Sequence, residues 1–567
     1  MIRRQKAGRT KRESRFMGAT AAIYHHPDMI ESDNRPLAGR RTAGQSFLAG
    51  YARHVDADVI HCAADGPRVI DQFRSLMSDY GWSGEITGVL TSQPRKLATP
   101  GTLMVPGPSL GKFAWVRRRA GQNLYSICGI THTVSTRRIM EGLLDMMSSP
   151  VEEWDAVICT SKAVQSVVAH ELDVAATYLT RRFAARRVPM PQLPVIPLGT
   201  DTARFAHDPA ARVDWRQKYG LADDDISIMT MGRLSVFEKM HPAPLFLALQ
   251  RAAMATGRKL HLLMVGWFGD ENTEKLHREA AAELSPDVDV IFPDGKDPDL
   301  RYSIWSAADI FALPVDNIQE TFGLAPIEAM AAGLPVVCSD WNGFKDTVVD
   351  GETGYRVRTL MSAPGMGTES AHRFEDGMDN YFQYLGLLHQ RTQVDVRELA
   401  SAFVALINDP EKRARMGKAA AERAQAMYDW AAIIPQYQAL WSDLTARRLR
   451  GQPSSPRETG EPASPASIDP FVLYQKYPTD RLPLTAILSV EKAVTTDDVA
   501  RMVRLTGAEQ LKRMVAGANQ IATVCETINT DGPIRLDTLI QKTKLRQDLV
   551  MACVLWMAKF DLVQIRV

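Results

Sequence analysis

The sequence predicts an α/β protein built as two doubly wound parallel-sheet domains in succession, followed by a small, mainly helical domain. Three observations carry this. Short continuous apolar runs recur between helix-length segments, the pattern of parallel strands covered on both faces. The rhythm comes in two successive sets, which implies two sheets rather than one very large one. A stretch rich in Pro, Ser, Gly and Glu, "GQPSSPRETGEPASPAS", then sets the C-terminal block apart.

The chain has 567 residues and a formal net charge of +1, with 45% hydrophobic and 23% charged residues. Its length leaves room for about three to four domain-sized pieces, and its charge gives no global pull towards nucleic acid or membrane. Residues 1–17, "MIRRQKAGRTKRESRFM", are basic and lack the apolar segment of a secretory signal, so they are expected to be disordered. The first domain, 18–203, contains the runs "DADVIHCA", "GEITGVL", "YSICGITH", "WDAVICTS" and "LPVIPLG". The second, 204–450, repeats the rhythm with "ISIMTMG", "KLHLLMVG", "VDVIFP", "DIFALP" and "LPVVCSD", and ends in closing helices from about Asp395. Residues 451–467 cannot form a core and read as a linker. In 468–567 a Gly-Pro turn leads to an extended piece, a helix, a turn, a strongly apolar helix and a terminal strand. This order resembles a winged helix-turn-helix. The six cysteines form no CxxC pair and most sit in apolar runs, as reduced cytosolic thiols do. No apolar run approaches the roughly 18 residues that span a bilayer.

The chemistry concentrates in loops at the carboxyl ends of strands. "QETFGLAPIEAMAAGLPVV", residues 319–337, joins the strand "DIFALPV" to "LPVVCSD" through a helix with Pro326 in its first turn and Gly333 at its end. Glu320 to Leu324 form a loop entering a helix N-terminus, where unpaired N–H groups favour an anion. Glu328 stands one helical stretch later, and its side chain leans back towards the same crevice. Two carboxylates flanking free N–H donors suit a ligand with both hydroxyls and phosphate. Taken alone, one is an ordinary solvated loop acid and the other an ordinary ion-pair partner. They are not alone. In "MTMGRLSVFEKMHP", Arg233 and Lys239 supply a planar fork and a point charge to a diphosphate. Gly44 stands just before an amphipathic helix and permits close approach to a ligand. His132, in "GITHTVST", ends a strand facing the interdomain cleft.

In this order, "WDAVICTSKA", "VIPLGTD", "GRLSVFEK", "ADIFALP", "ETFGLAPIEAMAAGLPVV" and "DGETGYRV" resemble the family 4 retaining glycosyltransferases of the GT-B fold, over about residues 20–450. The resemblance implies two Rossmann-like domains facing a cleft: a first that binds the acceptor and a second that binds a nucleotide-diphosphate sugar. It implies that Glu320 holds the donor sugar hydroxyls, that the backbone of Thr321, Phe322, Gly323 and Leu324 faces sugar and phosphate, and that Glu328 grips the ribose. Arg233 and Lys239 would neutralise the leaving diphosphate. Gly44 matches the second glycine of a pair whose first position is Ala43 here, and His132 matches a histidine near sugar and acceptor. Two departures bear on donor identity: Met240 follows Lys239 where the family has Gly, and "NGFKD" stands where it has Gly-x-Pro-Glu. The implied catalysis is electrostatic and positional, with no metal and no cofactor beyond the donor. The activity implied is hexosyl transfer to a glycan or lipid-linked acceptor in cell-surface polysaccharide or glycolipid biosynthesis. A GT-B phosphorylase, a nucleotide-sugar epimerase and a silent GT-B scaffold with a regulatory C-terminal module stay open as alternatives.

Two further features bear on partners. "YLTRRFAARRVPMP" brings Arg181, Arg182, Arg186 and Arg187 together with Phe183 and Val188. On one helix face this set could dock on anionic lipid, so a cytoplasmic protein peripheral to the inner face of the plasma membrane stays open. In the C-terminal block, Lys542, Lys544 and Arg546 are interleaved with Asp537 and Asp548, without the basic excess DNA binding favours. Protein binding or dimerisation is the expected role there, not DNA binding.

Overall fold

The structure, a computed structural model, describes residues 20–26, 39–506 and 518–567. The basic segment 1–17 lies outside the described residues. The chain divides into two compact units between Pro465 and Ala466.

The first unit holds two lobes, each around one parallel sheet. In the first lobe the strands are β1 (Ala22–Tyr24), β2 (Val59–Ala64), β3 (Glu85–Leu90), β4 (Thr102–Met104), β5 (Ser126–Ile130) and β6 (Ala156–Ile158), in spatial order β3-β2-β1-β4-β5-β6. Their buried residues, such as Ile60, Cys62, Ile127 and Val157, have no exposed surface, as helices on both faces require. Two helices matter below: α1 (Gly39–His54) and α2 (Lys162–Phe183). Residues 193–199, "LPVIPLG", form no strand. They run beside β6 through isolated bridges, Ala156 with Gln192 and Cys159 with Val195. Pro194 and Pro197 lack the N–H groups a ladder needs.

The second lobe repeats the winding. Its strands are β7 (Ile226–Leu234), β8 (Leu260–Phe268), β9 (Val288–Ile291), β10 (Ile310–Leu313), β11 (Val336–Ser339) and β12 (Gly354–Val357), in order β12-β11-β10-β7-β8-β9. Counted from its own first strand, each sheet is wound 3-2-1-4-5-6. The order reverses beside β1 and β4 in one lobe, and beside β7 and β10 in the other. Such switch points open a crevice at the carboxyl ends of the strands. Helix α3 (Leu324–Ala331) follows β10.

Between β12 and the next core helix the chain leaves the sheet. It forms β13 (Thr359–Met361), α4 (Thr368–Glu375), α5 (Tyr381–His389) and β14 (Thr392–Val394), with β13 and β14 antiparallel. The last helix of the unit, α6 (Trp430–Arg450), reads in sequence with the second lobe but packs on the first. Its Trp430, Ile433, Ile434, Tyr437, Trp441 and Leu444 share a core with Leu48, Tyr51 and Ile60. Gly50 of α1 makes this possible, since a Cβ there would lie 2.2 Å from the Trp430 ring. Residues 451–465 form no core but are tied to the first lobe: Ser454 N and Oγ donate to Glu152, and Arg118 donates to the carbonyls of Pro462 and Ala463.

The second unit has its own core, with Leu488, Val524, Ile528, Leu536, Leu539, Val550, Val554 and Met557. Helices Thr496–Leu505, Ala518–Asp531, Leu536–Thr543 and Gln547–Lys559 pack with a three-stranded antiparallel sheet in the order β16 (Ile534–Arg535), β15 (Ile487–Ser489), β17 (Gln564–Arg566). The turn between the last two helices passes through Lys544 in the left-handed region, φ 55°. All six cysteines are buried and free.

Candidate functional site

Both switch points fall where the sequence places its candidate residues. In the second lobe Arg233 is the penultimate residue of β7, and the loop after it turns sharply, with Lys239 N and Met240 N donating to the Ser235 carbonyl. On the other side of the crevice, β10 runs into Asp316 and Asn317, both buried, and then into Glu320. The loop is held from several sides. Asn317 Nδ2 donates to the Phe237 carbonyl, Trp341 Nε1 to the Asn317 carbonyl (3.0 Å) and Asn342 Nδ2 to the Glu320 carbonyl (2.7 Å).

Gly323 starts the helix. It has φ 86°, and a Cβ there would lie 2.3 Å from the Phe344 ring, so both conformation and space demand glycine. Gly323 has no side chain to cap the N-terminus of α3, so the first-turn N–H groups take no cap hydrogen bond from it. Phe322 is buried with its ring against Tyr428 and offers the crevice only its backbone.

The charged groups meet one another. Lys239 Nζ pairs with the Glu320 carboxylate, and Arg233 Nη1 pairs with Glu238 at 3.0 Å. Burial alone would raise the Glu320 carboxyl. The Lys239 charge and hydrogen bond, with the N–H groups of Phe322 and Thr321, outweigh it and hold the group below the usual carboxylate range. Glu328 behaves oppositely. Burial lifts it to about 7, and the charges of Arg301 and Lys239 only partly offset this. One acid is therefore a fixed anion, and the other changes charge near neutrality.

His132 follows β5 in the first lobe. Its carbonyl accepts from Thr321 Oγ1 at 2.7 Å, while the Thr321 carbonyl accepts from Ser161 Oγ at 2.9 Å. One residue of the second-lobe loop is thus fastened to the first lobe on both sides. The His132 side chain lines a mainly apolar pocket at the first-lobe switch point, with Ile23, His25, Gly44, Phe47 and Trp430. Gly44 lies inside α1, not before it, because the helix begins at Gly39.

Several participants carry no sequence signal of the kind used above. Glu238 sits among the basic residues it neutralises. Asn317 acts by donating from its side chain to the backbone carbonyl of Phe237. His25 is only 2% exposed, neither ring nitrogen has a partner, and burial beside His26 lowers it to about 4, so it is neutral at physiological pH. The signal that could have found it is a histidine directly after a strand at the switch point, but that strand is three residues long.

Residues 211–360 match the family model described as glycosyl transferases group 1. Among curated relatives, a D-inositol 3-phosphate glycosyltransferase of Nocardia farcinica is 29% identical over 266 residues, 45% of this chain and 49% of that one. A GDP-mannose-dependent alpha-(1-6)-phosphatidylinositol monomannoside mannosyltransferase of Mycolicibacterium smegmatis is 29% identical over 261 residues, 45% of this chain and 57% of that one. The chain thus spans about half the length of these two relatives. Among solved structures, the Anabaena protein HepE in complex with UDP-glucose superposes with a TM-score of 0.47 at 14% identity, covering 75% of this chain and all of that one. The two parallel sheets with identical winding are those of an α/β GT-B fold.

Proposed function

We propose that the protein is a retaining glycosyltransferase, moving a hexosyl group from a nucleotide-diphosphate sugar to an acceptor hydroxyl. The observation that carries this reading is the second-lobe switch point, where Arg233 stands at the end of β7, Lys239 pairs with Glu320 in the loop that enters α3, and the charge of Lys239 acts on Glu328. The match of residues 211–360 to the group 1 model supports it, as does a relative named for its use of GDP-mannose.

In this reading the donor exchanges partners with the resting ion pairs. Its diphosphate replaces Glu320 on Lys239 and Glu238 on Arg233, and the released Glu320 accepts from sugar hydroxyls. The backbone of Thr321 to Leu324 faces sugar and phosphate, and ionised Glu328 takes the ribose hydroxyls. The bond from the anomeric carbon to the diphosphate breaks, and the acceptor oxygen bonds to that carbon on the same face. The acceptor proton passes to a diphosphate oxygen. The protein supplies charge stabilisation and alignment, with His132 near donor sugar and acceptor, Gly44 allowing close approach of the donor, and no metal. In this reading Glu320 accepts from sugar hydroxyls and is not a nucleophile, because the acceptor oxygen itself bonds to the anomeric carbon.

The setting proposed is cell-surface polysaccharide or glycolipid synthesis, with a glycan or lipid-linked acceptor. No helix among the described residues is long and apolar enough to cross a membrane. Peripheral docking on anionic lipid at the inner face of the plasma membrane is supported by Tyr178, Arg181, Arg182 and Phe183, all exposed at the end of α2. That helix stops at Phe183, with Ala184 left-handed at φ 53°, and Arg187 pairs with Glu153, so the two later arginines are not on its face. For the winged-helix-like second unit we propose a protein partner or a second copy. Three of its basic residues, Lys542, Arg535 and Arg546, are paired with Asp531, Asp537 and Asp548, which lowers the charge those three offer to phosphate.

The test is incubation with labelled UDP-glucose, UDP-N-acetylglucosamine or GDP-mannose and a panel of glycoside acceptors, with NMR of the product's anomeric centre. Retention of configuration supports the reading. Inversion, or turnover only with inorganic phosphate, contradicts it.

A further inference from the structure

The excursion from β13 to β14 touches both sides of the cleft. Helix α5 is unusually well fixed at its start. Asn380 and Gln383 form a capping box, and Arg373 holds Asp379 through two hydrogen bonds of 2.9 and 2.7 Å. This sets Tyr381, the first helical residue. Its hydroxyl lies 2.8 Å from Ser135 Oγ, and Ser135 is 3.2 Å from Thr133 Oγ1, next to His132 in the first lobe. The charges of Glu238 and Arg233 act on the same hydroxyl.

Further along, α5 grips the loop that carries Lys239. Phe382 and His389 both pack edge-on against the Phe237 ring, with centroids 4.9 and 5.3 Å away. Gly386 lets the helix approach, since a Cβ there would lie 3.1 Å from that ring. His389 Nδ1 is 3.6 Å from Asp316, which also accepts from His241 N. One rigid helix therefore holds the loop of Arg233, Glu238 and Lys239 on one side and the His132 loop on the other.

We propose that residues 359–394 are a strap between the lobes, with Tyr381 as a positioning residue that couples the His132 loop to the Lys239 loop. Resting on the glycosyltransferase reading, this means that engagement of the donor diphosphate and presentation of the acceptor are set together.

The test uses the full chain. Hydrogen–deuterium exchange is followed in peptides covering 131–136 and 235–241 for Tyr381→Phe, Ser135→Ala, Ser135→Thr and the Tyr381→Phe/Ser135→Ala double variant. Tyr381→Phe and Ser135→Ala should each raise exchange in both peptides by about three- to tenfold, the size of one lost hydrogen bond. Ser135→Thr should keep the parent's protection. The double variant should go no further than either single one, because both remove the same link. With UDP-glucose and GDP-mannose as donor probes, the same factor should appear in the KM for donor hydrolysis at unchanged kcat. Exchange that rises only in 131–136, additive effects in the double variant, or a loss confined to kcat overturns the strap. If the exchange pattern holds while the parent hydrolyses neither probe, the transferase reading falls and the strap stands.

Discussion

The two lobes share a winding order and differ in what they place at its reversal. Beside β7 and β10 stand Arg233, Glu238, Lys239 and Glu320, with their charges paired or held by backbone N–H groups, and Glu328, whose carboxyl burial lifts to about 7. Beside β1 and β4 stand Ile23, Phe47 and Trp430 around two histidines, and His25 is buried, neutral and unpartnered. The same topology makes the same crevice in both lobes, and the side chains decide what enters it. A crevice of paired charges suits a charged ligand that can exchange partners with them. A crevice of apolar groups with a neutral imidazole suits an uncharged hydroxyl.

The comparison breaks most visibly at the charged crevice. Arg233→Ala or Lys239→Ala should lower turnover at least about a hundredfold, the order of one lost charge-stabilising donor. Initial rates with a saturating donor check this. Glu328 gives the next largest effect. Its carboxyl sits at about 7, and only the carboxylate accepts bidentately from a diol. Donor affinity should therefore weaken about tenfold from pH 8 to pH 6, and Glu328→Gln should flatten the profile; titration calorimetry checks both. Stability without donor moves the other way. A carboxyl raised above its unfolded value favours the fold while protonated, and that contribution is lost as pH rises through about 7.

Two smaller effects sharpen the first lobe. Gly50→Ala drives a Cβ into Trp430 and should cost about 1–3 kcal/mol in denaturant unfolding of the first unit. His25→Leu removes a ring whose nitrogens have no hydrogen-bond partner. It should leave stability unchanged or raise it by up to about 1 kcal/mol, while the KM for acceptor rises. A marked loss of stability would make His25 a structural residue instead.

Much of this was legible in the sequence, for identifiable reasons. Runs such as "KLHLLMVG" and "LPVVCSD" are long enough and apolar enough to declare buried strands, and Pro326 and Gly333 bracket α3. β1 and β4 have three residues each, too few for any periodicity, and His25 was hidden with β1. "LPVIPLG" reads as a strand by composition, but its prolines leave only bridges. Glu238 and Tyr381 were invisible for a different reason. Their partners Arg233 and Ser135 are set by a turn and by an excursion from the sheet, and neither leaves a periodic mark. The resting pair of Lys239 with Glu320 joins residues 81 positions apart, a proximity that only the folded sheet creates.

The central claim is that the charged crevice binds a nucleotide-diphosphate sugar through Arg233 and Lys239. The most direct measurement is a thermal-shift panel of UDP-glucose, UDP-N-acetylglucosamine and GDP-mannose, run on the parent and on the Arg233→Ala/Lys239→Ala double variant. The account predicts that at least one sugar nucleotide stabilises the parent and that its shift disappears in the variant. No shift with any of the three, or an equal shift in the variant, would contradict it.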